Sequence, residues 1–419
     1  MLRESGLAVL VFLLLSWAAT EGRLGWFSDT LADAQDKAYD VLAGFEYQFA
    51  SPVAPPPGTP RVVFVDIDQA TVNTYNPGPY LFHRGLLARL VERLGAAQPR
   101  ALYLDLNLSV ASQEPDLQRT GAARFPRSAG DQALLRVLTT PRRFPVLLSQ
   151  PQLFGEPVRA LPGSLCWVRP DVITDRGDTV RRIPRRVPPG PSPAAEALAL
   201  AATPQGFHCQ ASQAEPLAAP PSNVYRSELY GEPVLFHRVP SADSADYGWP
   251  GLSVVRAGDL LDADPVQLEP GAVVVVGRTD RASQDQHASA VGQLPGITLH
   301  LDALMTLLTY HHTLQPVPPL LAALAAFLAM LVAMLAAPLL SGLLARALQR
   351  LGLPRGWSVA FEHPLMWALL FLTAFLAYRS LGRFLDYALP ILSLELSRLA
   401  LHRQTGKLVT KTLKLAKLL

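Results

Sequence analysis

Carboxylates that close apolar runs are the first candidates for chemistry. Asp66 and Asp68 end the run RVVFVDID at residues 61–68, two positions apart, so on a strand their side chains point to one side. Asp105 and Asn107 end a second run, ALYLDLN at 101–107, and Arg278 and Thr279 follow a third, AVVVVG at 272–277. If the three runs are neighbours in a parallel sheet, their carboxyl ends bring these side chains into one polar crevice, able to hold a small ligand or a cation. Arg84, at the start of a helical segment, is expected to support the crevice by pairing with Asp68 or Asp105. The same residues would also serve as turn caps and as ion pairs with Arg84 or Arg278, and a DxD spacing alone specifies neither a metal nor a nucleotide sugar. Asp285, His287 and His300 are ligand types that suit zinc, in a spacing that matches no established site.

The motifs of common catalysis are missing. No GxSxG elbow, GxxxxGK[ST] phosphate cradle, HExxH helix or CxxC pair occurs. The chain therefore reads as a non-enzyme, with no catalytic residue, metal ligand or cofactor assigned. Two cysteines are present, Cys166 and Cys209, far apart and unlike a zinc motif. Outside the cytoplasm they would form a disulfide; the alternative is two buried thiols.

The elements that position these residues alternate. The strand at 61–68 is followed by helical spacing of Leu and Val at 84–94, then by the strand at 101–107, a helix at 132–138 and an apolar run at 144–148. Near the far end the strand at 272–277 leads through a polar loop into a helix at 297–308. Such alternation predicts an α/β domain with a mostly parallel sheet. The 38 prolines of this 419-residue chain are far more than the roughly 5% of average usage, and they cluster at 55–60, 184–193 and 216–221, which read as loops.

Apolar mass collects at both ends. Residues 6–20 read as a signal peptide cleaved near Ser16-Trp17-Ala18 or, the preferred alternative, as a retained anchor whose helix extends to Trp26. Residues 318–345 lack charge through Leu344 and are long enough to span a bilayer. A third segment covers 364–378, and a fourth, 384–401, embeds Asp386, Glu395 and Arg398. Basic residues flank the second and third segments (Arg346, Arg350, Arg355) and follow the fourth (Lys407, Lys411, Lys414), so both places should face the cytoplasm, together with the N-terminus. The net charge of +3 and pI near 8.9 belong to this orientation signal and not to nucleic-acid binding. The expected order is an anchor at 1–26, an extracytoplasmic α/β domain at 27–312, an all-α transmembrane bundle at 313–401 and a basic amphipathic tail at 402–419.

Several blocks together resemble a known family. Ile67-Asp68, His83-Arg84, Gly95-Ala96 with Tyr103-Leu104-Asp105, residues 174–182, and the closing Gly277, Asp285, Pro295-Gly296 and His300 are similar, in that order, to the CHASE2 domains, the extracytoplasmic sensory modules of bacterial cyclases and kinases. The resemblance covers roughly residues 27–312, and three membrane helices after the domain are also the family's habit. Leu301-Asp302 departs from the family's alanine-asparagine, and Ser289-Ala290 from its threonine-proline. The resemblance implies an inner-membrane protein with its large domain in the periplasm.

Two functions follow. In the first, the chain is a sensory, receptor-like subunit without an output domain of its own, acting through a separately encoded membrane, cytoplasmic or envelope protein. In the second it is an architectural docking subunit of a larger envelope complex. Partner contacts are expected at Asp386, Glu395, Arg398, Lys407, Lys411 and Lys414, since charges within apolar helices seek partners, with the lipid bilayer as the other surface. A homo-oligomer fits either reading.

Overall fold

A run of Val and Phe with no polar alternation suits a strand covered on both faces. That is how the computed structural model places Val62–Ile67, buried at every position. The structure describes residues 26–75, 82–111, 128–161, 164–174, 179–184, 192–203, 248–263, 268–280, 285–311 and 357–381, with shorter stretches between and beyond them. In chain order the strands are β1, Val62–Ile67; β2, Ala101–Leu104; β3, Val146–Leu148; β4, Gln152–Leu153; β5, Glu156–Pro157; β6, Leu165–Trp167; β7, Ile173–Thr174; β8, Thr179–Pro184; β9, Gly231–Pro233; β10, Leu252–Arg256; β11, Val273–Arg278; β12, Gln286–Ser289; and β13, Gly292–Pro295. The helices are α1, Trp26–Phe49; α2, Gln69–Tyr75; α3, Arg84–Ala96; α4, Ala129–Thr139; α5, Ala194–Ala202; α6, Ala257–Asp262; α7, Gly296–Tyr310; and α8, Trp357–Leu381.

The chain divides into two units, one of residues Gly44–Thr313 and one of Met1–Ala43 with Leu314–Leu419. At the centre of the first is a six-stranded sheet in the order β10-β1-β11-β2-β3-β6, every neighbour parallel. Val63, Val65, Ile67, Leu102, Leu104, Val274 and Val276 point to one face, into a core shared with Leu87, Leu90, Leu94, Leu134 and Leu260 of α3, α4 and α6. The alternate residues, among them Phe64, Tyr103 and Val275, are buried on the other face, where α5 and α7 pack together. The mostly parallel α/β sheet expected from the sequence is therefore present. A second sheet, β13-β12-β8-β7 with β9 on β8, mixes antiparallel pairs with one parallel pair, β8 with β12.

In the other unit, Tyr39 of α1 meets Tyr378 of α8 edge to face at 6.3 Å, and Leu42 packs with Ala374. Two short strands, β14 (Gln315–Pro316) and β15 (Arg383–Phe384), pair in parallel. Helix α8 contains the apolar segment expected at 364–378. Among the described residues no helix is long and apolar enough to cross a membrane. Most of the runs at 6–20, 318–345 and 384–401 lies outside the described residues, as do Asp386, Glu395, Arg398, Lys407, Lys411 and Lys414. Between the first apolar run and β1 the chain is helical over α1.

Candidate functional site

The carboxyl ends of β11, β2 and β3 border a crevice of about 360 Å³, closed on one side by the first turns of α7. Helix α7 reaches the sheet because β11 has a glycine where the two meet. A Cβ on Gly277 would stand 2.4 Å from Ile297 Cγ1, so no larger residue fits without moving the helix. Gly296 is held similarly: its N–H donates to the Asp285 carbonyl at 2.9 Å, and a Cβ there would overlap the Asp285 carboxylate. Deeper in the domain, the indole of Trp249 donates to Asp302 at 2.9 Å, both buried, which fixes the middle of α7.

Three of the seven crevice residues chosen from sequence line this space: Asp105, Asn107 and Arg278. Asp105 is partly buried and accepts a hydrogen bond from the Tyr103 hydroxyl at 2.9 Å. Burial raises its carboxyl above the ordinary range, against the opposing field of His300 and the Tyr103 hydrogen bond. Burial likewise holds the Tyr103 phenol well above its usual value, with Asp105 adding to the effect. His300 is buried, stands edge to face with Tyr103 at 6.2 Å and lines the crevice. Across from it, His287 and Asp285 pair at 2.8 Å. Arg278 makes a two-pronged pair with Asp280, Nε to Oδ1 at 2.7 Å and Nη2 to Oδ2 at 2.8 Å. Among the described residues no three His, Cys, Asp or Glu side chains are grouped as a metal ion would need.

The other four residues do different work. Asp68 caps α2, accepting the Thr71 N–H at 2.8 Å, and its second oxygen accepts Arg256 Nε at 3.0 Å. Asp66 is buried at the end of β1, with the Thr279 hydroxyl 2.7 and 2.9 Å from its two oxygens. Burial pushes its carboxyl up to about 6, and Asp68 and Asp280 nearby push the same way against the Thr279 hydrogen bond. Arg84 pairs with neither Asp68 nor Asp105. Its partner is Asp131 of α4, 3.8 Å away, and both side chains are almost wholly buried.

Glycines explain the change of partner. A Cβ on Gly130 would stand 2.9 Å from the Gly85 nitrogen, so α3 and α4 cross closely enough for Arg84 and Asp131 to meet between them. Burial brings Arg84 down to about 10 against the pull of Asp131. Its guanidinium lies 5.8 Å over the Phe154 ring and donates to the Asn107 carbonyl at 2.9 Å, so Arg84 supports the crevice wall from beneath without facing it. The wall is tied at other points by Ser149 to Leu106 O and by the N–H groups of Phe154 and Gly155 to Leu108 O and Ser109 O. Phe154 and Gly155 both have positive φ, 51° and 82°, as the two-residue turn between β4 and β5 requires.

Sequence reasoning missed Asp131, Arg256, Asp280 and Ser149. Asp131 was findable in part, since Ser128 and Asp131 form a reciprocal capping box at the start of α4. Cys166 is buried in β6 and disulfide-bonded, while Cys209 lies outside the described residues.

The profile of the CHASE2 domain matches residues 7–338 of this chain. The chain belongs to the CHASE2 family. The match extends beyond the 27–312 expected from the motif blocks, at both ends. CHASE2 domains are extracytoplasmic sensory domains, and a sensory role with a periplasmic location agrees with this membership. Comparison with curated proteins and with solved structures found no match.

Proposed function

We propose that this CHASE2 protein is a membrane-anchored, receptor-like subunit, not an enzyme, whose outer domain senses a small ligand and passes the change to a separately encoded partner. The observation that carries the reading is the crevice, in which Asp105 and His300 stand side by side at the sheet edge where open α/β folds bind ligands. Helix α7 is the route out. It borders the crevice at Gly296 and Ile297, ends at Tyr310, and is followed by the apolar run at 318–344. A ligand that binds better to one position of α7 would shift the population toward that position. Anchoring by residues 6–20 and by the apolar segments after 318, with both termini inside, is part of the proposal. So are a Cys166–Cys209 disulfide and partner contacts at Asp386, Glu395, Arg398 and the lysines after residue 406.

The test begins with gentle purification from the native membrane to identify what accompanies the chain. Gln150, at the crevice edge, is then replaced by Trp to fill the space. The expected outcome is a partner that still co-purifies but no longer changes its output when the medium changes. A partner whose output responds as before assigns the outer domain to docking alone.

A further inference from the structure

The edge of the central sheet opposite the crevice carries a second, larger cavity. The six strands are parallel, so β2 and β3 start at this amino edge while the returning helices α3, α4 and α5 end there. Between them lies a cleft of about 800 Å³. Its charges are unequal: Arg100, Arg142 and Arg143 stand against one carboxylate, Glu92, among the described residues that line it.

Helix ends hold two of these arginines in place. Arg100 Nη1 donates to the carbonyl of Ala202, the last residue of α5, at 2.7 Å. Arg142 Nη2 donates to the Val137 carbonyl of α4 at 3.2 Å, and its guanidinium lies 5.6 Å over the Phe144 ring. Gly95 makes room for it, since a Cβ there would stand 1.7 Å from Nη1. Burial lowers the Arg142 pKa below the ordinary guanidinium value against the field of Glu92, and its Nε is shut off from solvent with no acceptor. Arg143 is exposed and has no hydrogen-bond or ion-pair partner among the described residues. Cations at helix carboxyl ends complement the helix dipole, and Arg100 and Arg142 already do so. Arg143 is in excess of that need, and the cleft beside it is open. Adjacent guanidinium groups match an anion with several oxygens, above all a phosphate.

The path of the chain indicates where such a phosphate would come from. Helix α7 starts at the crevice, and its 15 residues, roughly 22 Å long, carry it back to the amino edge beside α5, with which it packs. The apolar run at 318 begins eight residues after Tyr310, at most about 28 Å of extended chain. The chain also enters the sheet at this edge, at Val62.

We propose that the amino edge rests on the bilayer and that the cleft takes the phosphate headgroup of an anionic phospholipid, with Arg142 and Arg143 as its main donors. The proposal rests on the membrane-anchored reading and goes beyond it. The test places the full chain in nanodiscs of phosphatidylcholine, alone or with about one-third phosphatidylglycerol, and follows hydrogen exchange over residues 140–144, with residues 105–108 as reference. Phosphatidylglycerol should slow exchange over 140–144 by at least about tenfold and leave the reference unchanged. Arg143→Gln, at an exposed position, should remove most of that slowing. Equal exchange in the two bilayers overturns the proposal, as does slowing that survives Arg143→Gln. Glycerol phosphate added to the phosphatidylcholine discs should have little effect; slowing equal to that given by the lipid assigns the cleft to a soluble anion and overturns the lipid. The comparison of bilayers uses the unsubstituted protein, so it decides even if the variant fails to fold. Equal exchange in the discs leaves the anchored reading standing, whereas release of the chain from native membranes by alkaline carbonate would remove both.

Discussion

Asp66 is a carboxylate that the fold holds in the wrong place for a charge. It is buried at the end of β1, and its donors are the hydroxyl and the backbone N–H of Thr279. The rise from the usual 3.8 to about 6 corresponds to about 3 kcal/mol of preference for the protonated form. The folded state therefore binds this proton more tightly than the unfolded state. Its contribution is favourable below about pH 4 and is lost as pH rises through about 6, so between these values stability should fall as pH rises. Asp66→Asn keeps an acceptor for Thr279 and removes the charge. It should raise Tm at pH 7 and flatten the pH 4–6 slope, read by thermal unfolding across that range; an unchanged slope would show that Asp66 ionises without penalty. The sequence reading correctly put Asp66 at a strand end, but its Thr279 partner is brought by β11 pairing beside β1, a contact between residues more than two hundred positions apart.

At the scale of elements, the crossing of α3 and α4 depends on one ion pair and two glycines. Removing one member of a buried pair strands the other, at about 3–5 kcal/mol. Arg84→Ala should therefore lower Tm by on the order of 10 °C, and it also releases the Asn107 carbonyl that forms the crevice wall. Arg84→Met combined with Asp131→Asn removes both charges yet keeps an acceptor for the Ser128 cap, and should recover most of the loss. A single variant with an unaltered melting profile would mean that the pair contributes nothing. This crossing also marks where the sequence stops being legible. β1, α3, β2, β11 and α7 were readable because each is a long apolar run or has helical spacing. The Arg84 partner was not, because Asp131 looks like an ordinary first-turn acid and the close approach is made by glycines that carry no pattern. β10 was missed for another reason: five residues of mixed polarity after a long proline-rich stretch, it is strand only because β1 lies beside it. The second sheet is built of strands of two to six residues, too short for alternation to register. Of the crevice, Asp105, Asn107 and Arg278 were legible as strand ends, whereas Asp68 proved to be a helix cap.

For the whole molecule the proposed arrangement makes a topological prediction. In a background with Cys166 and Cys209 replaced by serine, single cysteines at Asn223 and Lys414 should differ in intact spheroplasts, with an impermeant maleimide labelling the first and sparing the second. Equal labelling, or labelling at residue 414 alone, would reverse or abolish the four-span arrangement. The order of strands in the central sheet has a consequence for how the protein is made. β1 pairs only with β10 and β11, so Val62 waits for Leu252 and Val273. During synthesis nearly two hundred residues must emerge before β1 has either neighbour, and β2 also lacks its β11 partner until then. Pairings of such long sequence separation form slowly, since loop closure precedes any gain. The nascent chain therefore carries a bare, Val-rich strand for most of its synthesis, and any fragment ending before residue 252 leaves that strand exposed for good. Completion of the domain is a late, nearly all-or-none event, which keeps the chain threadable until its last strand is inserted at the centre.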